Sequence, residues 1–382
     1  LALGDIVQVL DTQGFALQSG NALVLCKRNK NIAVLLSQDI AANTPLARAI
    51  SINDAGTINA TPTGSLSLYA GAGRDLGLIH WYENIFVAMV NDHTAANRLI
   101  SFSVSDAGVI PGAIIDDLSL AAASNLHHIS DLLQIHDTVI VTGSTYPAAA
   151  DSVETAIVSI AGSFSAGLAD KLPLATRPRE QRLRQGSGTR IVEAYTSANV
   201  INIVTFTCTA LGLMPATPDD SWAWFTAGAE RVSLCKITDL VYAIFTYDSD
   251  GEARIRTFSI NLDGSINKSV IDTEIVDTAG GGVAYMLELS QGYFIVAYQV
   301  AGIPGRIKTY FISDAGVITD GQISSLDIDL TGFSQVSMVH LQGDIWALCF
   351  LNTDQEIMIY TLEIVTPSEA GPHHEMIMKI GP

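Results

Sequence analysis

Short stretches of alternating apolar and polar residues run along almost the whole chain, each closed by a Gly, Pro, Asp or Asn cluster. Alternation with period two, enriched in Val, Ile, Phe and Tyr, predicts β-strands of about five to eight residues. One unit is especially legible. A strand A over 283–289 is followed by the turn Ser290-Gln291-Gly292 and a strand B over 293–298. The loop Ala301-Gly302-Ile303-Pro304-Gly305 then leads to a strand C over 306–312 and a strand D over 322–330. No helical period appears anywhere.

The unit recurs. A glycine returns about every 52 residues, at Gly4, Gly56, Gly108, Gly162, Gly212, Gly264 and Gly316, and less regularly at Gly371. Its surroundings repeat as well, in Ile52-Asn53-Asp54-Ala55-Gly56, Val104-Ser105-Asp106-Ala107-Gly108 and Ile312-Ser313-Asp314-Ala315-Gly316. A three-residue hairpin that ends in a left-handed residue explains the glycine, which enters that region without steric penalty. The aspartate before it is expected to cap the turn.

Four-stranded units of this length repeated radially resemble the β-propeller superfamily. The expectation is all-β, a single seven-bladed propeller over residues 1–382, with blades ending near 70, 121, 175, 226, 278, 330 and the C-terminus. The resemblance covers the whole chain but matches no subfamily. Trp-Asp dipeptides are absent, and Gly-Gly occurs only at Gly280-Gly281-Gly282. The Asp-Ala-Gly turns lack the remaining residues of a sialidase-type Asp box. Two terminal segments, 5–10 and 375–380, both resemble strand D, so either is expected to close the ring and the other is spare. Leu1 opens inside a repeat without a methionine, which reads as a processed or truncated form.

Charge narrows the partners. The chain carries 20 basic and 39 acidic residues, a net charge of −19, and only 15% of it is charged. Such a field repels phosphate, which argues against nucleic acid and anionic membrane. No apolar run reaches the ~20 residues of a membrane helix, so no membrane insertion is expected. Cys26, Cys208, Cys235 and Cys349 all fall in strand text and are expected as free thiols. Only Cys26 and Cys349, in adjoining repeats, have a route to each other.

Candidate chemistry is placed on the face of the longer B–C and D–A connections. His127 and His128 precede strand A of blade three, and Arg177, Arg179 and Arg182 surround the start of blade four. Five of the thirteen arginines lie between Arg177 and Arg190. Such a cluster suits a carboxylate, sulfate or acidic sugar; lining a wet channel is the alternative. Trp222 and Trp224, two apart, face one side of a strand, for aromatic contact with a ligand or packing between blades. Asp248, Asp250 and Glu252 flank Gly251 in a way that suits a weak Ca²⁺ site, the one cofactor suggested; a solvated hairpin is the alternative. His373-His374 is a lesser metal candidate.

No nucleophile elbow, zinc-protease motif, phosphate loop or Cys-x-x-Cys is present. The leading expectation is therefore a non-enzymatic structural or recognition module, extracellular, cell-surface or virion-associated, assembling with itself or another protein. A glycan- or receptor-binding adhesin and a polysaccharide-acting propeller enzyme are the alternatives.

Overall fold

The computed structural model describes residues 2–39, 44–71, 73–92, 96–122, 131–144, 152–174, 181–300, 303–328, 334–354 and 356–366. It is a seven-bladed propeller of four-stranded antiparallel sheets. Blade two is Gly73–Tyr82, Ile85–Asp92, Ala96–Ser103 and Asp116–Ala122; blade three is Leu132–His136, Val139–Ser144, Ser152–Val158 and Phe164–Pro173. Blade six is Gly280–Ser290, Tyr293–Val300, Ile303–Phe311 and Ser324–Asp327. Two long strands each serve two blades. Asp220–Lys236 is the outer strand of blade four, after Gln181–Gln185, Arg190–Ser197 and Val200–Thr207. It continues as the inner strand of blade five, before Val241–Asp248, Ala253–Ile260 and Ile266–Asp277. Ile6–Asn29 likewise ends blade seven (Ser334–Gln342, Ile345–Leu351, Glu356–Ile364) and begins blade one, which continues with Ile32–Asp39, Thr44–Ser51 and Gly64–Ser67.

The second strand of each blade is buried on both faces, as in Phe86, Val87 and Ala88, all fully covered. Neighbouring blades press these faces together into seven apolar clusters, one for each blade–blade interface. Burial of branched and aromatic side chains between blades is therefore the main cohesive term.

The recurrent glycine does more than turn the chain. Its φ is positive at all seven positions, between 76° and 94°, and the neighbouring blade grips each turn. A hydroxyl donates to the glycine carbonyl at every interface: Thr63 to Gly108, Ser101 to Gly162, Thr155 to Gly212, Thr205 to Gly264, Thr257 to Gly316, Thr309 to Gly4 and Thr361 to Gly56, at 2.5–3.2 Å. An outer-strand carboxylate accepts from the N–H two residues beyond the glycine. Asp11, Asp116, Asp170, Asp220 and Asp272 do so at 2.7–2.8 Å, and in blade six the Ser324 hydroxyl takes the carboxylate's place, accepting from Ile6 N at 3.2 Å.

The expected aspartate cap is corrected at most turns. The closing oxygen belongs to the residue three before the glycine: Asn53, Ser105, Ser159, Thr209 or Ser313 accepts from the residue after it. That position sits across the turn mouth, within reach of the N–H. Asp263 is a capping aspartate, whereas Asp106 reaches Arg28 of blade one at 2.8 Å.

The N-terminal segment closes the ring. Residues from Ile6 to Gln18 pair with Glu356–Ile364. The last turn is assembled from both ends of the chain. Gly4 donates to Val365 O at 2.8 Å, and Val365 donates to Asp5 O at 2.9 Å. Val365 thus takes the place that Asn53 holds in blade one. The other candidate, 375–380, lies outside the described residues.

Candidate functional site

His127, His128, Arg177 and Arg179 also lie outside the described residues, as do His373 and His374. Arg182 is described. It is half-buried on the inner strand of blade four, and alternation puts Arg184 on the same side of that strand. Arg184 Nη1 donates to Asp131 Oδ2 of blade three at 2.8 Å. The same carboxylate accepts from Leu183 N at 3.2 Å and, through Oδ1, from Leu132 N at 3.1 Å. Burial works against the Arg184 charge, but Asp131, Cys235 and Tyr285 together more than restore it, so the guanidinium is held above its ordinary range.

Cys235 of blade five and Tyr285 of blade six belong to the same electrostatic neighbourhood. The inner strands here are stitched across blades. Ser233 bonds Met286 N, the Tyr285 hydroxyl bonds Met338 O at 3.1 Å, and Ser337 bonds Leu25 N. The cysteines are all free thiols. Burial pushes the Cys235 thiol up to about 12 and Cys208 up to about 11. Thiols this hard to ionise are poor nucleophiles.

Directly behind that strand lies a residue the sequence pattern did not single out. Glu193 is fully buried in the second strand of blade four, paired in register with Leu183 on one side and Val204 on the other. The same register position holds Leu35, Ala88, Thr142, Ile244, Val296 and Leu348 in the other blades. Both carboxyl oxygens lack a hydrogen-bond partner, and so do both amide atoms of neighbouring Gln181. Burial lifts the Glu193 carboxyl to about 8, with Gln181 opposing the shift. Gly143 of blade three makes room: a Cβ there would lie 1.8 Å from Gln181 Oε1. Aligning the seven second strands, rather than searching for motifs, would have exposed Glu193 as the one acidic residue at that position.

The remaining candidates are distributed elsewhere. Trp222 and Trp224 do face one side, stacked with centroids 4.5 Å apart, and both meet Phe258 of blade five edge-on. They pack against the cluster between blades four and five. A groove of about 470 Å³ beside the outer strand of blade four is lined by Pro173, Leu174, Tyr195, Asn202, Val204 and Trp222. Asp248, Asp250 and Glu252 form a hairpin around Gly251, whose φ is 85°. Arg254 pairs with all three carboxylates, and Arg256 Nη1 also bonds Asp248 at 2.8 Å. Two arginines thus offset two of the three negative charges. Among the described residues no cluster of three or more His, Cys, Asp or Glu is arranged to hold a metal.

A scan against protein-family models finds no match, and a search of curated proteins finds no relative. Solved structures do match. The periplasmic gluconolactonase of Pseudomonas aeruginosa aligns at TM-score 0.54 and 12% identity, over 94% of this chain and 98% of that one. A putative 6-phosphogluconolactonase from Bacteroides uniformis aligns at 0.53 and 11%, over 87% and 92%. The Dos1 propeller aligns at 0.52 and 10%, over 93% and 84%. At these identities the likeness establishes the propeller fold.

These matches correct the leading functional expectation. A non-enzymatic module was inferred from sparse charge and missing catalytic motifs, yet solved structures of this fold include proteins named as lactonases. The physical reason is that a propeller gathers a site from several blades. Asp131 and Arg184, 53 residues apart, meet at 2.8 Å without forming a linear motif.

Proposed function

We propose that this chain is a propeller hydrolase of the lactonase type, opening the cyclic ester of a sugar-acid lactone. The Asp131–Arg184 pair on the inner wall carries the reading, and the similarity to a periplasmic gluconolactonase over nearly the full length of both chains supports it. That similarity also supports an extracytoplasmic setting.

Lactone hydrolysis needs a proton acceptor for the attacking water and a positive group for the carbonyl oxygen that becomes negative. A carboxylate has about four acceptor sites. Arg184, Leu183 and Leu132 use three of them in Asp131, which leaves one for a water. In this scheme the water oxygen attacks the carbonyl carbon while its proton passes to Asp131. Arg184 stabilises the resulting oxyanion. The ring C–O bond then breaks, the proton moves to the departing alkoxide, and the open hydroxy acid leaves.

The test is acid release from glucono-δ-lactone at pH 6.5, with spontaneous opening subtracted. The wild-type protein is expected to exceed the buffer rate, and Asp131→Asn to lose roughly 10²-fold or more of that excess. No acceleration over buffer, or an unchanged rate in Asp131→Asn, would sink the assignment.

A further inference from the structure

The four unpartnered atoms of Glu193 and Gln181 call for a role. An isolated polar group in an apolar interface is normally bonded, and leaving it unmade is costly. Among the described residues the surroundings offer no counter-charge. From blade four, Leu183, Ile191, Tyr195 and Val204 face the carboxyl; from blade three come Leu133, Ile135, Val141 and Val153. Among the described residues the titratable groups of this interface are Tyr195, Cys208, whose thiol burial pushes up to about 11, and Asp170 of blade three, which accepts from Met214 N of blade four at 2.7 Å. At its edges stand Asp131, already engaged with Arg184, and His136, whose ring lies 3.4 Å from Cys208 O. A carboxyl here is tolerated with its proton on, and with its proton off becomes a buried charge that the Gln181 amide offsets only in part.

Glu193 is also well placed to act at a distance. Its register partner Leu183 lies between Arg182 and Arg184, and Leu183 N bonds Asp131. Any opening of the interface between blades three and four therefore moves the strand that presents Arg184.

We propose that Glu193 is a proton-gated positioning residue: protonated, it keeps the blade three/blade four interface shut and Arg184 seated on Asp131, and deprotonated, it admits water and releases that strand. The effect on turnover rests on the lactonase reading, whereas the effect on the interface does not. The direction follows from linkage. Burial raises the carboxyl from an ordinary 4.5 to about 8, so the open state ionises first, and opening grows as pH rises between those two values.

Hydrogen exchange of the full chain, followed at 181–185 and 191–195 and corrected for the intrinsic pH dependence of exchange, tests this directly. In wild type the opening equilibrium is expected to rise by about tenfold per pH unit from about pH 5 to pH 8 and then level off. Glu193→Gln is expected to be flat across the same range, and Glu193→Leu, the residue found at this position in blades one and seven, serves equally if the glutamine variant folds poorly. Wild type and both variants following one profile would overturn the proposal. Lactone turnover, measured in parallel, is expected to fall above pH 8 in wild type and to persist in Glu193→Gln. A pH-dependent exchange difference without turnover in any protein would refute the lactonase reading and leave the gate standing.

Discussion

Glu193→Leu is expected to gain stability relative to wild type as pH rises, by roughly 3 kcal/mol between about pH 4.5 and pH 7 in urea unfolding. The sign follows from the proton. Below about pH 4.5 the carboxyl is protonated in both states and contributes no pH dependence. From there to about 8 the unfolded chain ionises while the folded one does not, so wild-type stability declines by about 1.4 kcal/mol per pH unit. Above 8 both states are ionised and the loss is complete. Leucine removes this slope and places an aliphatic group where Leu35 and Leu348 already sit in blades one and seven. The stability difference between variant and wild type should therefore grow through that window and then level off. A parallel pair of pH–stability curves would mean that Glu193 meets the same electrostatic environment folded and unfolded.

Breaking one turn clamp has the second large effect, in the opposite direction. Thr257→Val removes the 2.6 Å bond to Gly316 O, and Asp272→Ala removes the 2.8 Å acceptor of Ile318 N. Each leaves a buried or half-buried backbone group of blade six without its partner, at a cost of about 1–3 kcal/mol. The two bonds grip one turn, so the double variant is expected to lose less than the sum of the singles. Strict additivity would show the clamps acting independently, and losses within about 0.5 kcal/mol for both singles, the level of ordinary surface substitutions, would show that apolar packing alone sets the blade spacing. The corresponding change at the chain ends is more informative still. Thr309 grips Gly4, in the turn that Val365 completes, so Thr309→Val acts on ring closure itself.

Much of the fold was legible because it depends on local signals. The left-handed glycine must recur wherever the hairpin recurs, and alternation follows from the two faces of a strand, so seven repeats could be read from Gly4 to Gly316. The expected aspartate cap failed at most turns because a turn has several positions from which an oxygen can reach the same N–H. At Asn53 and Ser105 the residue three before the glycine reached it first.

The candidate site was far less legible. Arg182 and Arg184 stood out as part of a basic run, and Trp222 with Trp224 as a pair on one face. Asp131 did not stand out, because a single aspartate before a strand is indistinguishable from a turn residue until Arg184 is placed beside it. Glu193 was hidden inside Ile191-Val192-Glu193-Ala194, where period two does not reveal that both faces are covered.

By itself the sequence determined the strand content, the sevenfold repeat and the positions of the turns, because each of these arises within a few neighbouring residues. Only the tertiary structure decided that the N-terminal segment closes the ring, that Thr and Asp of one blade hold the turn of the next, and that Asp131, Arg184 and Glu193 share one interface. Those are contacts between residues roughly 50 to 360 positions apart. They are set by the angle and spacing at which apolar blade faces pack, a property that no local pattern encodes.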